Sequence, residues 1–371
     1  MKILHLATHL EIGGITSWLD LAGGELARRG HRVGALTSGG AREAALTARG
    51  LTVHRLRRLR TKNEFDPRLL LLALPRALDI VRGNGYEVLH AHTRVTQVLA
   101  KAVSALSGVQ FVSTAHGFFR PRLSRRLVDA WGRRVIAISP FVASELERVH
   151  RVDPGRIRLV PNAIDGEGLR RRTAAVSGTD ARALLGLPPE ARVVGSISRL
   201  VRDKGHEHLA RAAALLIPER PDLHLLIVGD GPERDRLEKL LGDGPLKGRA
   251  RLVRAVPDVA TALAAIDIFV HPATYREGFG LSIAEAMAVG RPVVATRIPA
   301  LDTLLTDGRD ALLVPPGDPE ALAAALRGLL ADPALAARIA AGGRLRADEV
   351  SSPERMAAAL ENVYREVLSG P

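Results

Sequence analysis

Two glutamates, Glu277 and Glu285, bracket a glycine-rich turn in the stretch Glu277-Gly278-Phe279-Gly280-Leu281-Ser282-Ile283-Ala284-Glu285. The turn follows an apolar run, Ile268–His271, and opens a helical pattern. Gly278 and Gly280 let the backbone come close to a ligand. The amides of Leu281 and Ser282 lie free at the start of a helix, where phosphate is favoured. Glu277 stands in the loop and Glu285 one turn inside the helix. One carboxylate is then placed to accept hydrogen bonds from a sugar and the other from a ribose. The plainer alternative is an ordinary helix start with a surface glutamate.

Four further groups sit at similar places. Arg199 follows the apolar run Arg192–Ser198, and Lys204 precedes a helical pattern. Two cations at the end of a strand suit a diphosphate, the arginine by paired hydrogen bonds and the lysine as a point charge. Gly13-Gly14 lies between the first strand pattern and the first helix. It resembles a phosphate-approach turn but is not G-x-G-x-x-G. His116, in Thr114-Ala115-His116-Gly117, closes another strand pattern. His92 and Thr93 close the strand before that and are candidates for the acceptor side. Gly229 and Gly231, in Val228-Gly229-Asp230-Gly231, form one more strand-to-helix turn, where the backbone could touch a base or ribose. His90 and His92 form a His-x-His pair, but no cysteine or third evident ligand accompanies them, so no metal site is expected.

These groups need a scaffold that brings strand ends together. Strand patterns at Lys2–Ala7, Arg32–Thr37, Thr52–Leu56, Glu87–Ala91, Gln110–Thr114 and Val135–Ile138 alternate with helical patterns at Ile15–Arg29, Arg68–Arg82, Arg94–Ser107 and Pro140–His150. A second series has strand patterns at Arg192–Ser198, Leu223–Val228, Arg251–Arg254, Ile268–His271, Pro292–Ala295 and Ala311–Val314. Helical patterns at Gly205–Ile217, Pro232–Leu241 and Pro319–Leu330 separate them. Such alternation predicts parallel sheets covered by helices. Ligands of such sheets bind beyond the carboxyl ends of the strands. The fold class is therefore α/β, with two Rossmann-like domains, 1–164 and 165–352. The break falls at Val160-Pro161-Asn162-Ala163-Ile164-Asp165, and Arg170–Thr179 is polar and poorly patterned. Met356, Leu360, Val363, Tyr364, Val367 and Leu368 form a helical stripe in 353–371, expected to pack back onto the first domain.

The chain has 371 residues, 46 % apolar and 25 % charged, with no cysteine. Disulfides, thiolate metal sites and a cysteine nucleophile are thereby excluded. Met1–Thr8 lacks the basic start and long apolar stretch of a signal peptide, and a cytoplasmic location is expected. The net charge of +13 lies wholly in Met1–Asp165, with 26 basic and 13 acidic residues; the remainder has 27 of each. An excess of that kind attracts anionic partners. Arg120–Arg134 is basic with Leu123, Leu127 and Trp131 at helical spacing, and Arg55, Arg57, Arg58, Arg60 and Lys62 add a second cluster. These suggest contact with an anionic membrane and a peripheral position on its inner face. A solvated helix whose apolar stripe is core explains the first cluster equally well. A nucleic-acid partner is not expected, because aromatic content is 3 % and no base-stacking motif is present.

Asp267–Asp318, with Val160–Asp165 (VPNAID) and Gly195–Gly205 (GSISRLVRDKG), resembles the retaining glycosyltransferases of family four, which have the GT-B architecture: two facing Rossmann-like domains with a cleft between them. The resemblance extends over nearly the whole chain. It implies transfer from a nucleoside diphosphate sugar, with UDP the first choice because more relatives use it. It implies an acceptor hydroxyl and retention at the anomeric carbon. The basic face points to an acceptor on a lipid-linked or cell-envelope glycan, and no metal or other cofactor is expected, since no Asp-x-Asp motif stands at a strand end. Glu277 would contact the donor sugar and Glu285 the ribose. Arg199 and Lys204 would bind the diphosphate with Gly14 and the Leu281 and Ser282 amides, and His116 would sit beside the sugar. One departure stands out. Where the family commonly has Gly-Gly-x-Pro-Glu, this chain has Ile298-Pro299-Ala300-Leu301-Asp302-Thr303, and Ala311 replaces a usual glycine. A sugar-nucleotide epimerase or a phosphorylase on the same architecture is the alternative. A nicotinamide oxidoreductase is disfavoured by the missing G-x-G-x-x-G.

Overall fold

The first sheet is built from β1 (Lys2–Leu6), β2 (Arg32–Thr37), β3 (Thr52–Arg55), β4 (Val88–Ala91), β5 (Gln110–Ala115), β6 (Arg134–Ala137) and β7 (Ile157–Leu159). They run parallel in the order β3-β2-β1-β4-β5-β6-β7. The second sheet comprises β8 (Arg192–Ile197), β9 (Leu223–Val228), β10 (Ala250–Val253), β11 (Ile268–His271), β12 (Val293–Thr296) and β13 (Leu312–Val314). Its order is β10-β9-β8-β11-β12-β13, again parallel. The computed structural model describes every residue except 62, 64, 65, 67, 68, 120–124, 126, 127, 257, 276, 303 and 371, and only the backbone of 69 and 70.

The chain divides into two units, Met1–Ala163 with Ser352–Pro371, and Ile164–Ser351. Both crossings fall one residue before the positions expected from sequence. The central strands are buried on both faces, which is why β4, β9, β11 and β12 are mostly apolar without a polar alternation.

The last helix, Pro353–Leu368, belongs to the first unit. Ser352 caps it by accepting from the Arg355 amide, and Pro353 opens it, where a missing N–H costs nothing. Its stripe of Met356, Leu360, Val363, Tyr364 and Val367 joins the core of Trp18, Leu19, Ala22 and Leu26. Each such side chain contributes roughly 1.5–3 kcal/mol by leaving water. Leu368 is not part of it, being 40 % exposed. The helix is also pinned electrostatically. Glu361 accepts from Arg29 at 2.7 Å and lies 2.9 Å from His31 Nε2. The Arg29 hydrogen bond, helped by His31, pulls the Glu361 carboxyl down to about 2. Glu366 bridges Arg134 and Arg158.

Three local expectations need correction. Gly166–Ala174 is a helix, not a patternless stretch. Asp165 caps it, accepting from the Gly168 amide at 2.8 Å, but so few of its residues are buried that no apolar stripe betrays it. The segment expected to be one helix over Arg68–Arg82 is a π-turn at Leu69–Ala73 followed by a helix at Leu74–Asn84; Arg68 lies outside the described residues. Pro75, without an N–H, marks the new start. The short edge strand β7 carries Arg158 at its centre and gives no strand signal.

Candidate functional site

In each sheet the strand order reverses beside the first strand of that unit, between β8 and β11 in the second and between β1 and β4 in the first. Ligands of open α/β sheets bind at such reversals.

At the second reversal the loops leaving β8 and β11 are sewn together. The Thr274 amide donates to the Asp203 carbonyl at 2.9 Å. Gly205 has φ +67°, and a Cβ there would lie 1.9 Å from the Pro272 carbonyl oxygen, so only glycine fits. This packing sets Lys204 against Glu277, whose Oε2 accepts from Lys204 Nζ. The same oxygen is 2.9 Å from His271 Nε2, and Glu277 Oε1 accepts from the Gly278 amide at 2.9 Å. Burial pushes the Glu277 carboxyl up, but the His271 hydrogen bond and the Lys204 charge outweigh it and hold the group far below the usual carboxylate range. Burial pushes His271 down, against the pull of Glu277.

Around this ion cluster several donors remain unused. Arg199 is exposed and has no partner among the described residues. The helix Leu281–Ala288 starts at Gly280 (φ +82°) without a side-chain cap or an acidic residue in its first turn. The Leu281 and Ser282 amides have no acceptor among the described residues. Phe279 is buried beside them. Glu285, half-buried in that helix, is pushed up to about 7 by burial, with Asp258 adding and Arg172 opposing. The glycines of the turn after β9 are required by packing. A Cβ on Gly229 would meet the Ser198 carbonyl oxygen at 1.9 Å, and one on Gly231 the Leu200 oxygen at 2.3 Å. These glycines let the loops after β8 and β9 lie backbone to backbone.

The first reversal holds no ion pair among the described residues. His5 on β1, His90 on β4, His92 just after it and His116 just after β5 gather around the Trp18 indole, with ring centroids 4.8–5.9 Å from it. His5 Nδ1 is 2.9 Å from His92 Nε2, and His92 Nδ1 is 2.9 Å from His116 Nε2. His90 is held separately, with Nδ1 2.7 Å from the Tyr364 hydroxyl and Nε2 2.6 Å from that of Thr114. Burial pushes His5 and His116 down to about 3 and puts His90 and His92 well below the ordinary histidine range. All four rings are neutral at pH 7. Gly13, ahead of the helix Gly14–Arg28, borders open space: a Cβ there would meet nothing within 4 Å.

Sequence reasoning does not single out His5, Trp18 or His271. His5 sits at one of the inward positions of an apolar strand, which is the one signal it offers. His92 is only 2 % exposed and both its ring nitrogens are engaged, so it stands behind His116 and does not contact an acceptor as expected. Thr93 caps the helix Arg94–Ser107 in a reciprocal box with Thr96.

Two family models match the chain, Glycosyltransferase Family 4 over residues 12–167 and Glycosyl transferases group 1 over residues 191–332. This chain belongs to glycosyltransferase family 4. A D-inositol 3-phosphate glycosyltransferase of Corynebacterium urealyticum is 32 % identical over 67 % of this chain and 64 % of its own length. The lipopolysaccharide core biosynthesis glycosyltransferase LpsE of Rhizobium meliloti is 40 % identical over 44 % of this chain and 46 % of its own. The chain thus spans less than two thirds of either relative. HepE of Anabaena, whose crystal structure is in complex with UDP-glucose, superposes with a TM-score of 0.83 at 22 % identity, covering 100 % of both chains. The fold is GT-B.

Family-four features outside these clusters are less well placed. Thr303, the departure from the usual glutamate, lies outside the described residues. Ala311 is fully buried and bridges to Asp307. Of the basic stripe, Leu123 and Leu127 lie outside the described residues. Trp131 is 3 % exposed, so it is core and does not form an apolar membrane face. Lys62 is likewise outside the described residues, Arg55 pairs with Glu43 and Arg60 with Glu11, and Arg57 and Arg58 are exposed. No described helix is long and apolar enough to cross a membrane.

Proposed function

We propose that this chain transfers a hexosyl group from a nucleoside diphosphate sugar, UDP-linked in the first instance, to an acceptor hydroxyl with retention at the anomeric carbon. The observation that carries the reading is the Lys204–Glu277–His271 cluster beside Arg199 and the uncapped helix at Leu281. Arg199 and the Leu281 and Ser282 amides, without partners among the described residues, suit a diphosphate together with Lys204. Lys204 spends one of its three N–H groups on Glu277 and keeps two for phosphate oxygens. Glu277, held ionised, accepts from sugar hydroxyls, and Glu285 from the ribose.

In the step itself the bond between the anomeric carbon and the diphosphate oxygen breaks as the acceptor oxygen bonds to the same face. The acceptor's proton passes to the departing phosphate oxygen. Arg199, Lys204 and the Leu281 and Ser282 amides stabilise the growing charge; one such preorganised donor is worth roughly 3–4 kcal/mol. The names of the relatives support an acceptor that is a phosphorylated polyol or a cell-envelope glycan. The excess positive charge of the first half suits an anionic acceptor or one carried on an anionic membrane.

The test is calorimetric titration of UDP, GDP and ADP into the purified protein. Selective binding of one nucleotide supports the reading and fixes the base. Binding of none overturns it. Product analysis separates a transferase from an epimerase, which needs no acceptor, and from a phosphorylase, which consumes inorganic phosphate.

A further inference from the structure

The histidines of the first unit form a one-dimensional chain. His5 Nδ1 meets His92 Nε2, and His92 Nδ1 meets His116 Nε2, both at 2.9 Å. The far end of the chain, His5 Nε2, is buried and has no protein partner among the described residues. The near end, His116 Nδ1, belongs to a half-buried ring and makes no hydrogen bond among the described residues. Nitrogens of His5, His90 and His92 lie within 4.8 Å of one another. Five of those six ring nitrogens are already engaged, by Thr114, Tyr364 or another imidazole. The arrangement is therefore a hydrogen-bonded chain more than a metal cage.

A neutral imidazole carries one proton, so each contact in the chain has one donor and one acceptor. The three tautomers are then not independent. If His5 Nε2 carries the proton, His92 and His116 must donate through Nε2, and His116 Nδ1 is left as a bare acceptor. If His5 Nδ1 carries it, every ring donates forward and His116 Nδ1 ends as an N–H. The buried end decides between them. A proton on His5 Nε2 would be an orphaned buried N–H, which is rarer in proteins than an under-satisfied acceptor. Burial keeps all three rings neutral well below pH 7, so a second proton does not dissolve the constraint.

We propose that His5 and His92 are positioning residues which lock His116 in the tautomer that carries its proton on Nδ1, so that His116 presents a hydrogen-bond donor. Resting on the glycosyltransferase reading, that donor matches a hydroxyl or phosphate oxygen of the donor sugar or acceptor. It also means that His116 does not serve as the base that takes the acceptor's proton. The tautomer assignment itself holds or fails whatever the ligand is.

The experiment is long-range proton–nitrogen NMR of the imidazoles in the full, uniformly 15N-labelled chain at pH 7.5. His116 is assigned by loss of its signals in His116→Gln. The expected result is Nδ1–H at His116, His92 and His5 together, the form that free histidine disfavours. In His92→Phe, which keeps a flat ring but removes the donor to His116 Nε2, His116 should lose its single tautomer and show an averaged pattern. A proton on Nε2 of His116 in the wild type overturns the proposal, and that measurement needs no variant to fold. An Nδ1–H at His116 that persists unchanged in His92→Phe also overturns it. Neither result depends on nucleotide binding, so failure here is distinguishable from failure of the function.

Discussion

At the reversal of the second sheet a lysine and a histidine share one carboxylate oxygen of Glu277; at the reversal of the first, four imidazoles and an indole carry no charge at all. The same topological position has been furnished in opposite ways. Burial acts on both clusters, and what differs is whether an opposite charge lies within reach. Glu277 has Lys204 and stays ionised. His5 has only other neutral rings and loses its proton. A site with fixed charges suits a ligand with fixed charges, and a site of neutral donors and acceptors suits hydroxyls.

The largest test of that contrast is a pair of substitutions read by calorimetry. Lys204→Ala should weaken UDP binding by about 10–100-fold, the value of a hydrogen bond to a charged group. His116→Gln should leave UDP binding nearly unchanged while slowing turnover. Equal losses of affinity in both variants would erase the distinction between the clusters.

The next effect is on stability against acid. A histidine whose pKa is 6.5 unfolded and about 3 folded loses stability as pH falls below 6.5, because the unfolded chain takes up the proton first. Each such ring costs on the order of 1.4 kcal/mol per pH unit across that window. Melting temperature should therefore fall steadily between pH 6.5 and 4.5, and the slope should be shallower in His5→Phe relative to its own value at pH 7.5. An unchanged slope would mean that the first cluster is not held neutral by burial.

Glu285 sharpens the comparison from the other side. Its carboxyl, pushed up to about 7, ionises through neutral pH. If the carboxylate is what accepts from ribose, UDP affinity should rise several-fold from pH 6 to pH 8, and Glu285→Gln should flatten that rise. The same raised pKa means that the folded state loses stability as pH climbs from 4.5 towards 7, so the Gln variant should compare most favourably with the wild type at pH 8. The smallest effect concerns the exposed arginines. Arg57→Ser and Arg58→Ser should each reduce flotation with anionic vesicles about fivefold, from roughly 1 kcal/mol per charge near the surface. No salt-sensitive flotation of the wild type would remove the membrane from the scheme.

How far the sequence speaks differs between the two clusters. Most of the second is visible because it is made of loop signals: glycines at turns, charged residues at strand ends, a helix start without a cap; His271, buried in β11, is the exception. The first is half hidden. His116 and His92 end strands and can be singled out. His5 sits inside an apolar run, and Trp18 and Tyr364 occupy core-facing helix positions, so nothing local marks them. Only the sheet order β1-β4-β5 brings them together. The parallel sheets themselves are legible from alternation, whereas Gly166–Ala174 is not, because a helix with little buried surface leaves no periodic trace.

The helix Pro353–Leu368 has a consequence in time. The first unit is left at Ala163 and rejoined at Ser352, with the whole of the second unit made in between. At roughly 5–20 residues per second on the ribosome, that interval is on the order of ten to forty seconds. Throughout it, the groove that will receive Met356, Leu360 and Tyr364 has no occupant, and His90 lacks its Tyr364 hydroxyl. The second unit, contiguous in the chain, can complete its core before the first unit does. In the nascent protein, the half that comes out first is the half that finishes last.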